Sequence, residues 1–285
     1  MQGSTIGVLG AGIMGRGIAY VSAVGGFATR LFDSSPTALH KAQREIETLL
    51  GKGVAAGKLD AGVAAVARER LSYVTTLAAA ADGADLIIEA IPENMAVKIE
   101  TFAQLDTLTP PHAILASNTS SLSITEMAGA TQRPSQVVGM HFFNPVHRMR
   151  LVEVVSALES SAASVATAVA VGEAMGKECV VVREAPGFIT TRVNTTIGNE
   201  AFFMLQEGIA SARDIDKALK LGLNHPMGPF ELVDLVGLDT RLSILRYLHR
   251  TLGEKYRPCP LLEQYVAAGR LGRKVGRGVY EYGEL

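Results

Sequence analysis

The segment from Thr5 to Gly15 constrains this chain more than any other. Thr5-Ile6-Gly7-Val8-Leu9 is a short apolar run, and Gly10-Ala11-Gly12-Ile13-Met14-Gly15 follows it as a GxGxxG. Small and apolar residues at helical spacing over Met14–Val24 then predict a helix. A strand feeding a helix through three such glycines has a physical logic. Gly10 permits the tight turn, Gly12 lets a pyrophosphate approach the backbone, and Gly15 lets helix and strand pack closely. The helix N-terminus supplies unpaired N–H groups and the positive end of its dipole to the phosphates. A GxGxxG alone is a weak signal, because glycine-rich turns are common. Here a second strand, Ala28–Phe32, ends at Asp33, 23 positions after Gly10 (33 minus 10). That is close to the roughly 20 expected for the acid that holds a dinucleotide ribose. A carboxylate there accepts from the ribose hydroxyls and repels a 2′-phosphate. Ser34 and Ser35 follow, with no arginine to greet that phosphate, which favours NAD over NADP. Taken alone, Asp33 reads as a turn residue or helix N-cap.

The alternation continues. Thr37–Leu50 is a polar-faced helix, and Leu86–Glu89, Ile114–Ser117 and Val137–Gly139 are apolar runs that predict buried strands. Strands alternating with helices imply parallel βαβ units. From Leu151 the pattern changes. Leu151, Glu153 and Val155 alternate with Val152, Val154 and Ser156, which predicts a more exposed antiparallel strand, and Cys179–Val182 predicts one more. Ala185-Pro186-Gly187 punctuates the chain. Helices are then expected over Phe188–Glu207, Ser211–Leu221, Pro229–Leu252 and Pro260–Ala268. The expected architecture is α/β: a Rossmann-type doubly wound sheet over residues 1–184, then a smaller all-helical C-terminal domain over 185–285.

Composition removes several classes. With 27 Lys+Arg against 28 Asp+Glu, the net charge of -1 gives no footprint for nucleic acid. Cys179 and Cys259 are the two cysteines, too few for a disulfide scaffold and not at metal-ligand spacing. No metal is expected. No run of 18 or more apolar residues stands out as a membrane span, and the apolar N-terminal stretch is broken by glycines rather than preceded by basic residues. The chain reads as soluble and cytoplasmic, with neither nucleic-acid nor membrane partners.

A nicotinamide dehydrogenase needs a base for the hydroxyl proton, and histidine suits that task near neutral pH. Of six histidines, His40, His112, His147, His225 and His249 fall on polar faces or in loops. His141 directly follows the apolar strand Val137–Met140, where open α/β sheets bind ligands. A strand-end histidine in apolar surroundings is more often structural. Glu153 shifts that balance, since a carboxylate in an apolar strand is costly unless paired. A surface-facing Glu153 remains compatible with the spacing.

Several segments together are highly specific. They are Gly10–Gly15, Asp33, Ser117-Asn118-Thr119-Ser120-Ser121-Leu122, His141-Phe142-Phe143-Asn144-Pro145, Leu151-Val152-Glu153-Val154-Val155 and Ala185-Pro186-Gly187-Phe188. With Gly228-Pro229 and Gly272-Arg273-Lys274 they cover almost the whole chain, which resembles the 3-hydroxyacyl-CoA dehydrogenase family. The resemblance implies NAD-dependent oxidation of an L-3-hydroxyacyl-CoA of short chain length to the 3-ketoacyl-CoA. It implies His141 as general base, Glu153 as its orienting partner, and Ser120 bonded to the reacting oxygen and lying against the nicotinamide. Asn144 would fix nicotinamide and substrate groups. Gly10, Ala11, Gly12, Ile13, Met14, Gly15, Asp33, Glu93, Lys98 and Lys274 match cofactor-binding positions. The bland reading of Glu93, Lys98 and Lys274 is a solvated charge, and of Ser120 a turn hydroxyl.

The chain departs from the family at one place. Many members carry a substrate-contacting asparagine just before the arginine of the Pro-Gly-Phe helix. Here Thr191 stands there, ahead of Arg192, while Asn194 and Asn199 lie at other helical phases. Lys52 and Lys58 are candidates for the CoA phosphates, with a solvated face the competing reading. The helical domain carries Phe202, Phe203, Leu205, Phe230, Leu232, Val233, Leu235 and Val236, which suits either its own core or a homodimer interface. Two other functions stay open: a dehydrogenase of a free hydroxy or sugar acid or of a hydroxyadipyl-CoA, and a non-catalytic NAD-binding protein.

Overall fold

A computed structural model describes residues 3–283. The chain divides into two compact units, residues 1–185 and 186–285.

The first unit opens with β1 (Thr5–Leu9), α1 (Ile13–Val24), β2 (Ala28–Phe32), α2 (Pro36–Ala55), α3 (Ala61–Arg70), β3 (Leu71–Val74) and α4 (Leu77–Ala81). It continues through β4 (Leu86–Glu89), α5 (Met95–Leu108), β5 (Ile114–Ser117), α6 (Ile124–Ala128), β6 (Val137–Phe142), β7 (Leu151–Ser156), α7 (Ala162–Ala174) and β8 (Glu178–Arg183). The eight strands form one sheet in the order β3-β2-β1-β4-β5-β6-β7-β8. Only the β6–β7 pair is antiparallel. The strand order reverses between β1 and β4, the switch point at which doubly wound sheets open a crevice.

Local chemistry sets the helix starts. Ser35, Asp60, Thr76 and Asn94 each accept a backbone N–H from inside the helix they precede, and Pro36 occupies the first turn of α2. The α1 helix has no side-chain cap, because Gly12 sits at its N-cap. One core runs through the sheet, with Ile6, Val8, Ile18, Ile88, Val138 and Val152 among its buried members.

The expected strands appear, with two changes. The sixth strand extends to Phe142, so His141 lies within it rather than beyond it. The seventh is antiparallel to the sixth as the alternation suggested, but it is not exposed: Val152 to Val155 are all buried. Flanked by β6 and β8, it is an interior strand, and an alternating pattern does not reveal which faces neighbouring strands and helices cover. The edge strand β3 and the helices α3, α4, α5, α6 and α7 lie outside the expected set.

The second unit is helical: α8 (Thr190–Gln206), α9 (Ala212–Gly222), α10 (Pro229–Val236), α11 (Leu238–Leu252) and α12 (Pro260–Ala267). The single helix expected over 229–252 is two, broken at Gly237. There φ is +105°, and a Cβ would sit 2.9 Å from Asp239 Oδ1. Helical periodicity on both sides of a glycine conceals such a break. Phe202, Phe230 and Val233 from the apolar set are core residues, and the Phe202 and Phe230 rings meet edge to face at 5.2 Å. Leu235 and Val236 stay exposed.

Candidate active site

The three glycines of the first turn have separable constraints. Gly10 has φ +95°, and a Cβ there would lie 2.7 Å from Ala90 O. A Cβ on Gly15 would come within 1.7 Å of Gly10 O, so that position must stay bare for the helix to pack. A Cβ on Gly12 would meet nothing within 4 Å. Open space therefore lies before the turn, faced by an α1 N-terminus whose amides no side chain caps. Ala11 N donates to Asp33 Oδ2 at 2.8 Å, and Ser35 N donates to Oδ1 at 2.9 Å. Asp33 thus ties the glycine turn to the end of β2. Ile13, 57% exposed, and Met14 begin the helix beside this space. The cradle fits a dinucleotide: bare amides for a pyrophosphate and a carboxylate one strand away for a ribose.

On the other side of the switch point, β6 and β7 carry His141 and Glu153. His141 and Glu153 are direct register partners. Opposed residues in an antiparallel pair project to the same face. His141 Nδ1 lies 2.7 Å from Glu153 Oε2, and both residues are buried, at 6% and 1% exposure. An ionised carboxylate accepts only, so Nδ1 is the donor and the basic lone pair sits on Nε2. The Phe143 ring packs at 4.4 Å from the imidazole. Asn118 Oδ1 accepts Phe142 N–H at 2.9 Å, tying the β5 exit to the end of β6.

A third group lies between these two. Glu89, the last residue of β4, is fully buried and accepts from Lys98 Nζ at 2.6 Å, Ile91 N at 2.8 Å and Ser117 Oγ at 2.6 Å. Lys98 is 1% exposed and also pairs with Glu93 Oε2 at 3.3 Å. Glu93 in turn accepts from Thr119 Oγ1 and, at 3.2 Å, from Ser120 N. Lys98 is therefore an interior ion pair rather than a solvated charge. Glu93 and Ser120, both expected at the cofactor, are thus in contact. The sequence assigns Glu89 no role and Ser117 only a place in a motif, although Glu89 carries the signal that singles out Glu153: a carboxylate in an apolar strand.

Asn144 is exposed and precedes Pro145. Both line a concave pocket with Ile13, Arg16, Lys52 and His147. Arg16 pairs with Glu45 at 2.6 Å in the same pocket. Lys58 is exposed and does not line it. In the helical unit, Thr191 is half-buried in the first turn of α8. Lys274 Nζ donates to both Asp239 oxygens, at 2.7 and 2.6 Å. Asn199 is occupied structurally: Nδ2 donates to Arg257 O and Oδ1 accepts Cys259 N–H, each at 2.9 Å.

Residues 5–185 match the NAD binding domain of 3-hydroxyacyl-CoA dehydrogenase, and residues 187–282 match its C-terminal domain. The chain belongs to the 3-hydroxyacyl-CoA dehydrogenase family. It is 48% identical over 285 residues to a probable 3-hydroxybutyryl-CoA dehydrogenase of Bacillus subtilis, spanning 100% of this chain and 99% of that protein. A 3-hydroxybutyryl-CoA dehydrogenase of Bradyrhizobium diazoefficiens is 43% identical, over 97% of this chain and 94% of its own length. Among solved structures, (S)-3-hydroxybutyryl-CoA dehydrogenase PaaH1 from Ralstonia eutropha superposes with a TM-score of 0.94 at 41% identity, over 98% of this chain and 99% of that one.

Proposed function

We propose that the chain oxidises L-3-hydroxybutyryl-CoA to acetoacetyl-CoA, and runs the reverse, with NAD. One observation carries the reading: the buried His141–Glu153 pair at 2.7 Å within a domain that matches an NAD binding domain. When bound, NAD supplies the hydride acceptor for oxidation. His141 Nε2 takes the proton of the substrate hydroxyl as the C–H electrons leave, so the carbon becomes a carbonyl and the imidazole becomes cationic. Glu153 holds the ring in the required tautomer and stabilises that cation. In reduction the same proton returns to the alkoxide oxygen. Ser120 bonds the reacting oxygen and faces the nicotinamide, with Asn144 as a further contact to nicotinamide and substrate. Gly10 to Gly15 cradle the pyrophosphate, Asp33 takes the ribose, and Glu93 and Lys98 complete the cofactor side of this unit.

Lys52, in the pocket with Arg16, is proposed to meet the CoA phosphates, with Lys58 a more distant candidate. No helix of the described residues is long and apolar enough to cross a membrane. We read the enzyme as a cytoplasmic homodimer, supported by the exposed Leu235 and Val236 of the helical unit. Light scattering at twice 30.1 kDa would bear this out, and a mass of 30.1 kDa would not.

The functional test is a spectrophotometric assay of NADH with acetoacetyl-CoA against free acetoacetate. Consumption of NADH with the thioester alone is expected. Equal turnover of free acetoacetate would instead make this a hydroxy-acid dehydrogenase, and no turnover of either would leave a binding protein.

A further inference from the structure

We propose that Glu89 sets the charge of the cofactor site: it neutralises Lys98 and anchors the Ser117–Ser120 segment, leaving Glu93 as a net negative charge beside Ser120 that favours the oxidised cofactor over the reduced one. The inference rests on the reading that Ser120 faces the nicotinamide.

The group contains two carboxylates and one ammonium, all linked. Glu89 to Lys98 is 2.6 Å, and Lys98 to Glu93 is 3.3 Å. Glu93 then receives the amide of Ser120. A second route runs from Glu89 through Ser117 Oγ at 2.6 Å to Thr119 N at 3.2 Å. Glu89 is paired in register with Leu9 on one side and Ser117 on the other, so the cluster sits directly behind the glycine turn at the switch point. Thr119 Oγ1 also accepts Ser121 N and Leu122 N, at 3.3 and 3.0 Å, and extends the same network along the loop.

Stability is a poor reason to keep such a pair. Burying two charges costs more desolvation than their attraction commonly returns, and apolar replacements of similar volume are often as stable. Charge balance gives a better one. Without Glu89, Lys98 would offset Glu93 and the cluster would be neutral. With it, the cluster holds one negative charge. The nicotinamide ring is cationic when oxidised and neutral when reduced, so a fixed charge nearby acts on one form only. In a partly desolvated site, a unit charge several ångströms away alters an equilibrium by on the order of 10-fold.

The test measures Kd for NAD+ and for NADH on the full chain by calorimetry and by NADH fluorescence. Glu89→Gln keeps the shape and removes one charge. It is expected to weaken NAD+ by on the order of 10-fold while NADH changes little. Ser117→Ala breaks the second route without altering charge, and should move both affinities alike. Equal weakening of both forms by Glu89→Gln, or no change in their ratio, would overturn the proposal. Should Glu89→Gln not fold, Glu93→Gln removes the same charge at a partly exposed position. It must shift the ratio in the same direction, and an unshifted ratio there overturns the idea. Wild-type protein that binds neither form would overturn the dehydrogenase reading itself, an outcome distinct from an unshifted ratio in variants of a binding-competent enzyme.

Discussion

His141 and Glu153 stand directly opposite each other in the antiparallel β6–β7 pair, and their side chains meet on one face with Nδ1 2.7 Å from Oε2. Separate losses are expected from the two residues. His141→Gln removes the base and should lower turnover by roughly 10²–10⁴-fold with NADH binding retained. Glu153→Gln keeps the volume but not the charge. It should lower kcat with little change in the Kd for NADH. Steady-state kinetics with acetoacetyl-CoA beside NADH titration separates the effects, and a near-normal kcat for His141→Gln would remove the proposed mechanism.

The glycine turn predicts a contrast between two alanine variants. Gly15→Ala places a methyl group 1.7 Å from Gly10 O, so the turn or the helix must move. A drop in Tm of several degrees is expected, from overpacking of roughly 1–3 kcal/mol. Gly12→Ala meets no protein atom within 4 Å. It should fold with a nearly unchanged Tm and lose NADH affinity, since its methyl group enters the space before the amides. Thermal melts with and without NADH read both. A Gly12→Ala enzyme that binds NADH normally would place the pyrophosphate elsewhere.

Asp33 bonds the Ala11 amide through one oxygen and the Ser35 amide through the other, yet remains only half-buried. Asp33→Ala removes the repulsion of a 2′-phosphate and the acceptor for ribose hydroxyls. The ratio of kcat/KM for NADH to that for NADPH should fall by roughly 10-fold or more, given the value of hydrogen bonds to charged groups. An unchanged ratio would show that another residue selects the cofactor.

In the helical unit, the hydrogen bond from Lys220 and then that from the Gly228 amide hold the Glu231 carboxyl below the usual range, with burial opposing them. A carboxyl with a lowered folded pKa stabilises above its unfolded value, near 4.3, and that stability is lost as pH falls through the folded value. Glu231→Gln should therefore destabilise at pH 7 and match the wild type in acid. The Lys220–Glu231 pair is about a third exposed, at 35% and 32%. Screening keeps the difference under about 1 kcal/mol. Urea melts across this pH range would show it, and a constant difference at all pH values would contradict it.

The legibility of this molecule in its sequence was uneven for physical reasons. The glycine turn, Asp33 and the principal sheet strands follow from local rules, because a turn and a buried run announce themselves within a few residues. His141 with Glu153 needed an argument about cost: a carboxylate in an apolar strand demands a partner. The same cost attaches to Glu89, buried at the end of β4. Its three donors come from residues 91, 98 and 117, and only the β4–β5 register and the first turn of α5 bring them together. For the same reason the burial of Lys98, 1% exposed between Glu89 and Glu93, is not visible in the sequence around it. The break at Gly237 was hidden because both flanking segments are helical, and only the backbone angle marks it.

The pairing of His141 with Glu153 also makes the site a matter of strand alignment. Successive residues of a strand face opposite ways, so a one-residue slip reverses every side chain. A slip of β7 by one residue against β6 would turn a valine toward His141 and the carboxylate away, with the composition of the strand unchanged. Activity here depends on the alignment of β7 with β6 as much as on the identity of the residues they carry.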